Sequence, residues 1–403
     1  MKILMISDYV APIGGAEIYM KNLSKLLMVN GHEVDTWGSD LTEKKDQLFS
    51  VANPYFFLKL ARILREKRYD IIHIHSFISV LSPLVLAAIA IFNNSPVVMH
   101  IHNSLLICPF SGVTDDYKIC PDHKKIFSLH KKCKRPLKRK SNLFYDLAKL
   151  FRFSLSRYLA KKIVNIFICP SISLSKLIKE SLFLEEKEIV TLPYFVEKSV
   201  KIKSETKTKI KNNQLVFVGR ISKEKGLDVA IKAVSLLLEE SDLYKNILFK
   251  IVGDGPDFAN LLDLTKKLGC SNSVRFVGRV DNDKVDNYYQ ESIALIVPSL
   301  WIENSPVAIY EAMRNKRPIV ASNIGGLTDL VLDNKNGFLF KTGDCKSLAK
   351  AIKKIYGNSE KSIKMGAFGF ERLKNEYGAE KHYSEIINLY KRINKEHKKN
   401  DKR

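Results

Sequence analysis

The sequence predicts an α/β protein made of two doubly wound parallel sheets, and three observations predict it. The chain has 403 residues, more than a single hydrophobic core usually serves, so about two domains are expected. Short apolar runs alternate with stretches of helical periodicity through both halves. Between the halves, residues 198 to 213 are polar, Lys-rich and free of apolar periodicity, as a linker or domain edge is.

In order along the chain, Lys2 to Ser7 reads as a strand, Pro12-Ile13-Gly14-Gly15 as a turn, and Ile18, Leu23, Leu26 and Leu27 as the apolar face of a helix ended by Gly31-His32. Glu33 to Trp37 begins the next strand, which completes a βαβ unit. Asp70 to His75, the apolar segment Phe77 to Phe92, and Val97 to His102 form a second one. Near-continuous apolar runs of this kind belong to parallel strands buried on both faces. Ile166 to Ser171 and Ile189 to Leu192 continue the sheet. The rhythm restarts with Leu215 to Gly219, Leu248 to Gly253, Val274 to Gly278, Ala294 to Pro298 and Pro318 to Ala321. Most of these runs end in Gly, Pro or Ser before a polar loop, and ligands of such sheets lie beyond the carboxyl ends of the strands. The expected domains are 1–197, with a basic insertion at about 105–160, then 198–378, then a helix in 379–403 packing back on the first domain. The charged tail from Lys391 is expected to fray.

Composition sets the class. A hydrophobic content of 45% excludes disordered and fibrous chains. The first residues read as a strand rather than a secretory leader. Phe77 to Phe92 contains Ser79, Ser82 and Pro83 and falls short of the roughly 20 residues that span a bilayer. Six scattered cysteines do not form a disulfide framework in a chain of cytoplasmic character. The net charge of +23 suits phosphate-bearing substrates, anionic lipid or nucleic acid. Between Lys124 and Lys140 stand nine Lys or Arg and no acid. Leu143 to Ile163, which follows, mixes Leu, Phe and Tyr with Lys and Arg, the composition of a basic, partly amphipathic surface.

Three constellations carry chemistry. Gly14-Gly15 lies where the first strand meets the first helix, so backbone amides can approach an anion closely. Gly219-Arg220-Ile221-Ser222-Lys223-Glu224-Lys225-Gly226 places Arg220 and Lys225 at a strand end and a helix entrance, where a diphosphate needs cations. Glu303-Asn304-Ser305-Pro306-Val307 leads into a helix carrying Glu311. The two carboxylates can accept hydrogen bonds from sugar and ribose hydroxyls, and the amides of Asn304 to Val307 can meet phosphate or sugar. His102 and His75 stand at strand ends. His100 and His73 precede them by two residues and are expected on the same strand face, deeper in the sheet.

Together these segments resemble glycosyltransferase family 4, whose members are retaining enzymes of the GT-B fold: two Rossmann-like domains with a cleft between them. Pro12-Ile13-Gly14-Gly15-Ala16-Glu17, Gly219-Arg220 with Lys225-Gly226, Val252-Gly253-Asp254-Gly255-Pro256, the paired glutamates and Gly325-Gly326 occur in that family's order. The resemblance implies that Glu311 holds the donor ribose, that Arg220 and Lys225 bind the diphosphate, and that Glu303 and the adjacent amides contact the donor sugar. His102 is similar to the family's active-site histidine. Asp329 stands where relatives often carry Glu. The Asp281-Asn282-Asp283 triplet mimics a metal-binding D-x-D, but its place before a helical segment makes an N-cap the better reading. Cys108, Cys120, His123 and Cys133 have the residue types of a structural zinc site, although the insertion lacks a C-x-x-C pair.

The resemblance implies transfer of a hexosyl residue from a nucleoside diphosphate sugar, with retention and with no catalytic metal or other cofactor. The expected acceptor is lipid-linked or a growing surface polysaccharide, handled at the inner face of an anionic membrane by a peripheral cytoplasmic protein. A nucleotide-sugar epimerase of the same architecture is an alternative. So is a basic nucleic-acid-binding protein, though the chain shows no interleaved aromatic platform or nucleic-acid module, and no nucleic-acid partner is expected.

Overall fold

A computed structural model describes residues 1–11, 15–40, 52–78, 80–103, 106–107, 143–196 and 213–400, with backbone only at 143–147, 282 and 400. The chain divides into two compact units, Met1–Phe195 with Ala379–Arg403, and Val196–Gly378.

The first unit runs β1 (Lys2–Tyr9), α1 (Gly15–Val29), β2 (Glu33–Ser39), α2 (Pro54–Glu66), β3 (Ile71–Ile74), α3 (Leu84–Phe92), β4 (Val97–His100), α4 (Leu143–Ile163), β5 (Ile166–Cys169), α5 (Ile172–Leu182) and β6 (Ile189–Thr191). Its strands pair in parallel in the order β2-β1-β3-β4-β5-β6. Alternation along β1 divides the core. Leu4 and Ile6 join α2, α3 and α5 on one face, while Ile3 and Met5 join α1 on the other. The apolar segment after β3 becomes a helix only from Leu84, packed between α2 and α4. Ser171 caps α5 by accepting from the amide of Leu174 at 3.2 Å.

The second unit runs β7 (Gln214–Val218), α6 (Leu227–Glu240), β8 (Leu248–Val252), α7 (Phe258–Lys267), β9 (Val274–Gly278), α8 (Asn282–Glu291), β10 (Ala294–Val297), α9 (Val307–Arg314), β11 (Ile319–Ser322), α10 (Leu327–Leu330), β12 (Gly337–Phe340), α11 (Cys345–Lys353) and α12 (Ser359–Glu376). Its parallel sheet has the order β12-β11-β10-β7-β8-β9. The chain returns to the first unit as α13 (Ala379–Asn400), where Ile386, Ile387 and Tyr390 join the α1 face of the core.

Each sheet reverses its winding once. In the first unit the reversal falls between β1 and β3, in the second between β7 and β10. The carboxyl ends flanking a reversal diverge, and the crevice they leave is where doubly wound sheets take ligands.

Three expectations need correction. The tail does not fray at Lys391, because α13 stays helical to Asn400, with Ile393 buried against the sheet. Asp281 occupies the N-cap position of α8, but its side chain makes no capping bond and pairs with Lys284 Nζ at 3.0 Å instead. Pro306 precedes α9 at its N-cap rather than lying in the first turn. Among the described residues no helix is long and apolar enough to cross a membrane.

Candidate active site

At the reversal of the second sheet, the loop after β7 meets the loop after β10. Gly226 closes a short 3-10 turn with φ +66°, and a Cβ there would stand 2.1 Å from the carbonyl oxygen of Pro298, so only glycine permits this approach. The amide of Leu300 donates to the carbonyl of Glu224 at 2.8 Å and locks the two loops together. Lys225 thereby reaches across, its Nζ 2.6 Å from Glu303 Oε1. The same oxygen accepts from Ser299 Oγ at 2.7 Å, and Glu303 is buried at 7% exposure. A carboxylate in such a place needs its cation, since leaving it unpaired would cost the full penalty of a buried charge. The Trp301 ring lies 5.9 Å from Lys225 Nζ.

The Glu303 loop is held from behind by the paired glycines after β11. The amide of Gly326 donates to the carbonyl of Glu303 at 2.7 Å. Gly325 has φ +58°, and a Cβ on it would approach that carbonyl oxygen to 2.7 Å. Arg220 is exposed just beyond β7. The loop after β8 is stitched to that segment through Ile221 N and Asp254 O at 2.9 Å.

Glu311 lies on α9, half-buried. Tyr289, on α8 and fully buried, donates its hydroxyl to Glu311 Oε2 at 2.8 Å. Burial pushes the Glu311 carboxyl above its ordinary range, and the Tyr289 hydrogen bond and the Arg314 charge pull it back. Ser305 and Tyr310 bond through their hydroxyls at 2.6 Å. Beside the carboxyl end of β9, a groove of about 460 Å³ is lined by Lys250, Arg279, Asp281 and Tyr288 among others, with Lys250 already paired to Glu291 at 3.0 Å.

In the first unit, β3 and β4 present a column of imidazoles. His73 and His75 have ring centroids 4.3 Å apart, and those of His100 and His102 are 4.5 Å apart and parallel within 1°. His75 Nδ1 and His102 Nε2 share a hydrogen bond of 3.1 Å, and His102 Nδ1 bonds the Tyr194 hydroxyl at 2.7 Å. His73 Nδ1 meets the Tyr390 hydroxyl of α13 at 2.6 Å, and Tyr19 of α1 meets His382 of α13 at 2.8 Å. Burial pushes His73 and His382 down to about 3, and His75 and His100 well below their ordinary value. These rings are therefore neutral at ordinary pH. His73, His75 and His100 each offer a ring nitrogen within 4.8 Å of the others. The ionisable groups acting on all three are other histidines. Among the described residues no acid acts on these three rings to offset the desolvation of a dication, so the arrangement fits a packed neutral column better than a metal centre.

The structure thus brings together Lys225, Glu303, Ser305 and Pro306 around one loop pair, with Arg220 at its edge and Asn304, Val307 and Glu311 on the same loop and helix. His102 belongs to the other unit, two residues beyond β4. Gly15 is the first residue of α1, with open space where a Cβ would lie. Gly14 falls outside the described residues, as do Cys108, Cys120, His123, Cys133 and the basic run Lys124 to Lys140. Asp329 lies on α10, where its carbonyl accepts from Arg372 at 2.8 Å. Sequence reasoning missed Tyr289, Ser299 and Tyr194. Ser299, directly after a strand that ends in Pro298, carried a positional signal, whereas the tyrosines carried none.

Two family models match the chain: "Glycosyltransferase Family 4" over residues 13–199 and "Glycosyl transferases group 1" over residues 199–372. An uncharacterized glycosyltransferase of Methanocaldococcus jannaschii is 26% identical over 376 residues, covering 88% of this chain and 89% of its own. Among solved structures, sucrose-phosphate synthase of Thermosynechococcus elongatus superposes with a TM-score of 0.72 at 17% identity, covering 98% of this chain and 99% of that one. HepE of Anabaena in complex with UDP gives a TM-score of 0.67 at 18% identity, covering 96% and 99%. At these identities the structural likeness shows the fold, a GT-B arrangement of two Rossmann-like domains.

Proposed function

Because the chain belongs to the glycosyltransferases, its first half of family 4 and its second of group 1, we propose that it moves a hexosyl residue from a nucleoside diphosphate sugar to a lipid-linked or polysaccharide acceptor, with retention at the anomeric carbon. The observation that carries this reading is the Lys225–Glu303 pair at the reversal of the second sheet. An ammonium has three N–H donors, so Lys225 can keep Glu303 with one and turn the others to diphosphate oxygens. Arg220 and the amide end of α9 add positive potential where the leaving group gathers charge. Glu303 then accepts from the sugar hydroxyls and Glu311 from the ribose. In the step itself the bond from C1 to the phosphate oxygen breaks, the bond from C1 to the acceptor oxygen forms on the same face, and the acceptor proton passes to the departing diphosphate. The protein contributes positioning and electrostatics. His102 and the amide end of α1, in the first unit, serve the acceptor side.

Calorimetric titration of UDP, ADP and GDP into the full chain, followed by NMR of the products formed from the matching sugar donor with EDTA present, tests this reading. Saturable binding of one diphosphate and a product of unchanged anomeric configuration are expected. Binding of none of the three, an inverted product, release of an isomerised sugar without acceptor, or activity restored only by added metal would overturn it.

Support for a membrane station comes from one face of the first unit. Tyr55 and Leu58 on α2, Ile91 on α3, and Phe151 and Tyr158 on α4 are each more than 60% exposed. The exposed cations Lys59, Arg62, Arg65, Lys161 and Lys162 stand on the same helices, Lys59 with its Nζ 5.8 Å from the Tyr55 ring and Arg62 paired to Glu66 at 2.7 Å. Aromatic and aliphatic side chains accompanied by Lys and Arg suit an anionic bilayer interface. Phe153 points into the core and takes no part.

A further inference from the structure

We propose that Tyr289 is a positioning residue for donor recognition, holding Glu311 in the one orientation and the one protonation state that can take a ribose. The proposal rests on the reading of Glu311 as the ribose acceptor and adds a residue that reading does not contain.

The geometry is specific. A carboxylate cannot donate, so the 2.8 Å contact is the Tyr289 hydroxyl donating to Glu311 Oε2. Tyr289 is fully buried, and burial together with the Glu311 charge pushes its hydroxyl well above the ordinary tyrosine value, so it keeps its proton at any working pH. The two helices that carry the pair are latched to each other. Asp286 on α8 accepts from Arg314 at 2.5 Å and from Asn315 at 2.7 Å, and Gln290 donates to Asn315 at 3.1 Å. Asn315 also donates to the carbonyl of Glu311 at 2.9 Å. The phenol therefore cannot follow Glu311 if its side chain rotates, and the bond fixes the carboxylate against the staggered alternatives open to a free glutamate.

Two consequences follow for a ribose. With Oε2 held by the phenol, Oε1 and the remaining lone pair of Oε2 stay aligned for a neighbouring pair of hydroxyls. The bond also offsets burial. The groups acting on Glu311 are Tyr289 and Asp286 from α8 and Arg314 from its own helix. Burial and Asp286 favour the protonated acid, while Tyr289 and Arg314 favour the carboxylate. A protonated Glu311 would lose acceptor capacity for the ribose. Removing the phenol oxygen therefore moves the loss of donor binding to higher pH.

The experiment is Tyr289→Phe in the full chain, with calorimetry from pH 8 to pH 5.5 using whichever of UDP, ADP and GDP the wild type binds best, and its 2′,3′-dideoxy form as comparator. At pH 8 the ribonucleotide is expected to bind about tenfold more weakly, the size of one lost hydrogen bond to a charged group. The deficit should grow as pH falls, the dideoxy form should bind as it does to wild type, and Tyr289→Phe should add little in a Glu311→Ala background. Equal losses for ribo and dideoxy forms would make the role purely structural and overturn the proposal. So would a wild-type affinity and pH profile in Tyr289→Phe when Glu311→Ala weakens binding. Should Glu311→Ala bind the nucleotide as wild type does, the ribose reading of Glu311 itself is what fails.

Discussion

The two glutamates of the second unit differ in what they already hold, and that difference separates the effects of losing each. Glu303 takes Lys225 and Ser299 on one oxygen, whereas Glu311 is held by a neutral phenol. Glu311→Ala removes acceptors for ribose without releasing a cation, so nucleotide affinity should fall about 10- to 100-fold, the range of a hydrogen-bonded charge. Glu303→Ala frees Lys225 for phosphate. Nucleoside diphosphate affinity should then stay within about threefold of wild type or tighten, while kcat/KM for the sugar donor falls about 100-fold. Calorimetry beside steady-state kinetics reads both, and a parallel loss of binding in the two variants would contradict this division. The direction of both effects follows from the roles the family resemblance implies, whereas the release of Lys225 was not legible in the sequence, because Lys225 and Glu303 stand 78 residues apart. Their residue types and places at strand ends were legible, but not their contact.

At the scale of elements, β3 and β4 carry their imidazoles at the alternate positions expected, and burial does the rest. His73 and His382 are held to about 3, against an unfolded value near 6.5. Since the folded values are depressed, the unfolded chain binds the extra protons. Stability is complete above about pH 6.5 and is lost as pH falls toward 3. At pH 5 the loss is about 2 kcal/mol for each such imidazole. Protection of β3 and β4 amides from hydrogen exchange, taken relative to the intrinsic rate at each pH, should fall steeply from pH 7 to pH 4.5. His100→Leu should flatten that dependence, because both ring nitrogens of His100 are buried without a hydrogen-bond partner. An unchanged slope in that variant would show that the column does not govern acid sensitivity. The strands themselves were readable because parallel strands buried on both faces leave near-continuous apolar runs. β12 was not, since Gly337–Phe340 is four residues long behind the polar turn Asp333-Asn334-Lys335-Asn336. The phenol of Tyr289 was hidden for another reason: a buried tyrosine on an acidic, polar helix carries no sequence mark of the carboxylate it meets on the next helix.

For the whole molecule, the α2, α3 and α4 face should hold the enzyme to anionic vesicles at low salt. Each engaged Lys or Arg contributes about 1 kcal/mol, and screening shortens their reach to about 8 Å at physiological ionic strength. Sedimentation with anionic and neutral vesicles should show preference for the anionic ones and partial release by salt. Ser in place of Lys59, Arg62 and Arg65 should weaken the preference, and equal binding to both vesicle types would remove this face as the docking surface. The path of the chain has a different consequence, in the order of synthesis. The second unit is one continuous segment, Val196–Gly378, whose ends meet where the amide of Val196 donates to Tyr377 O at 3.0 Å. The first unit is split, and its hydroxyl and imidazole partners Tyr390 and His382 arrive on α13. On a ribosome adding about 5–20 residues per second, β1 to β6 wait roughly 10–40 s for that helix. The later unit can thus finish first, while in the earlier one Tyr19 and His73 still await His382 and Tyr390 and the α1 face of the sheet lacks the apolar side chains of α13, a nascent surface for chaperones to shield.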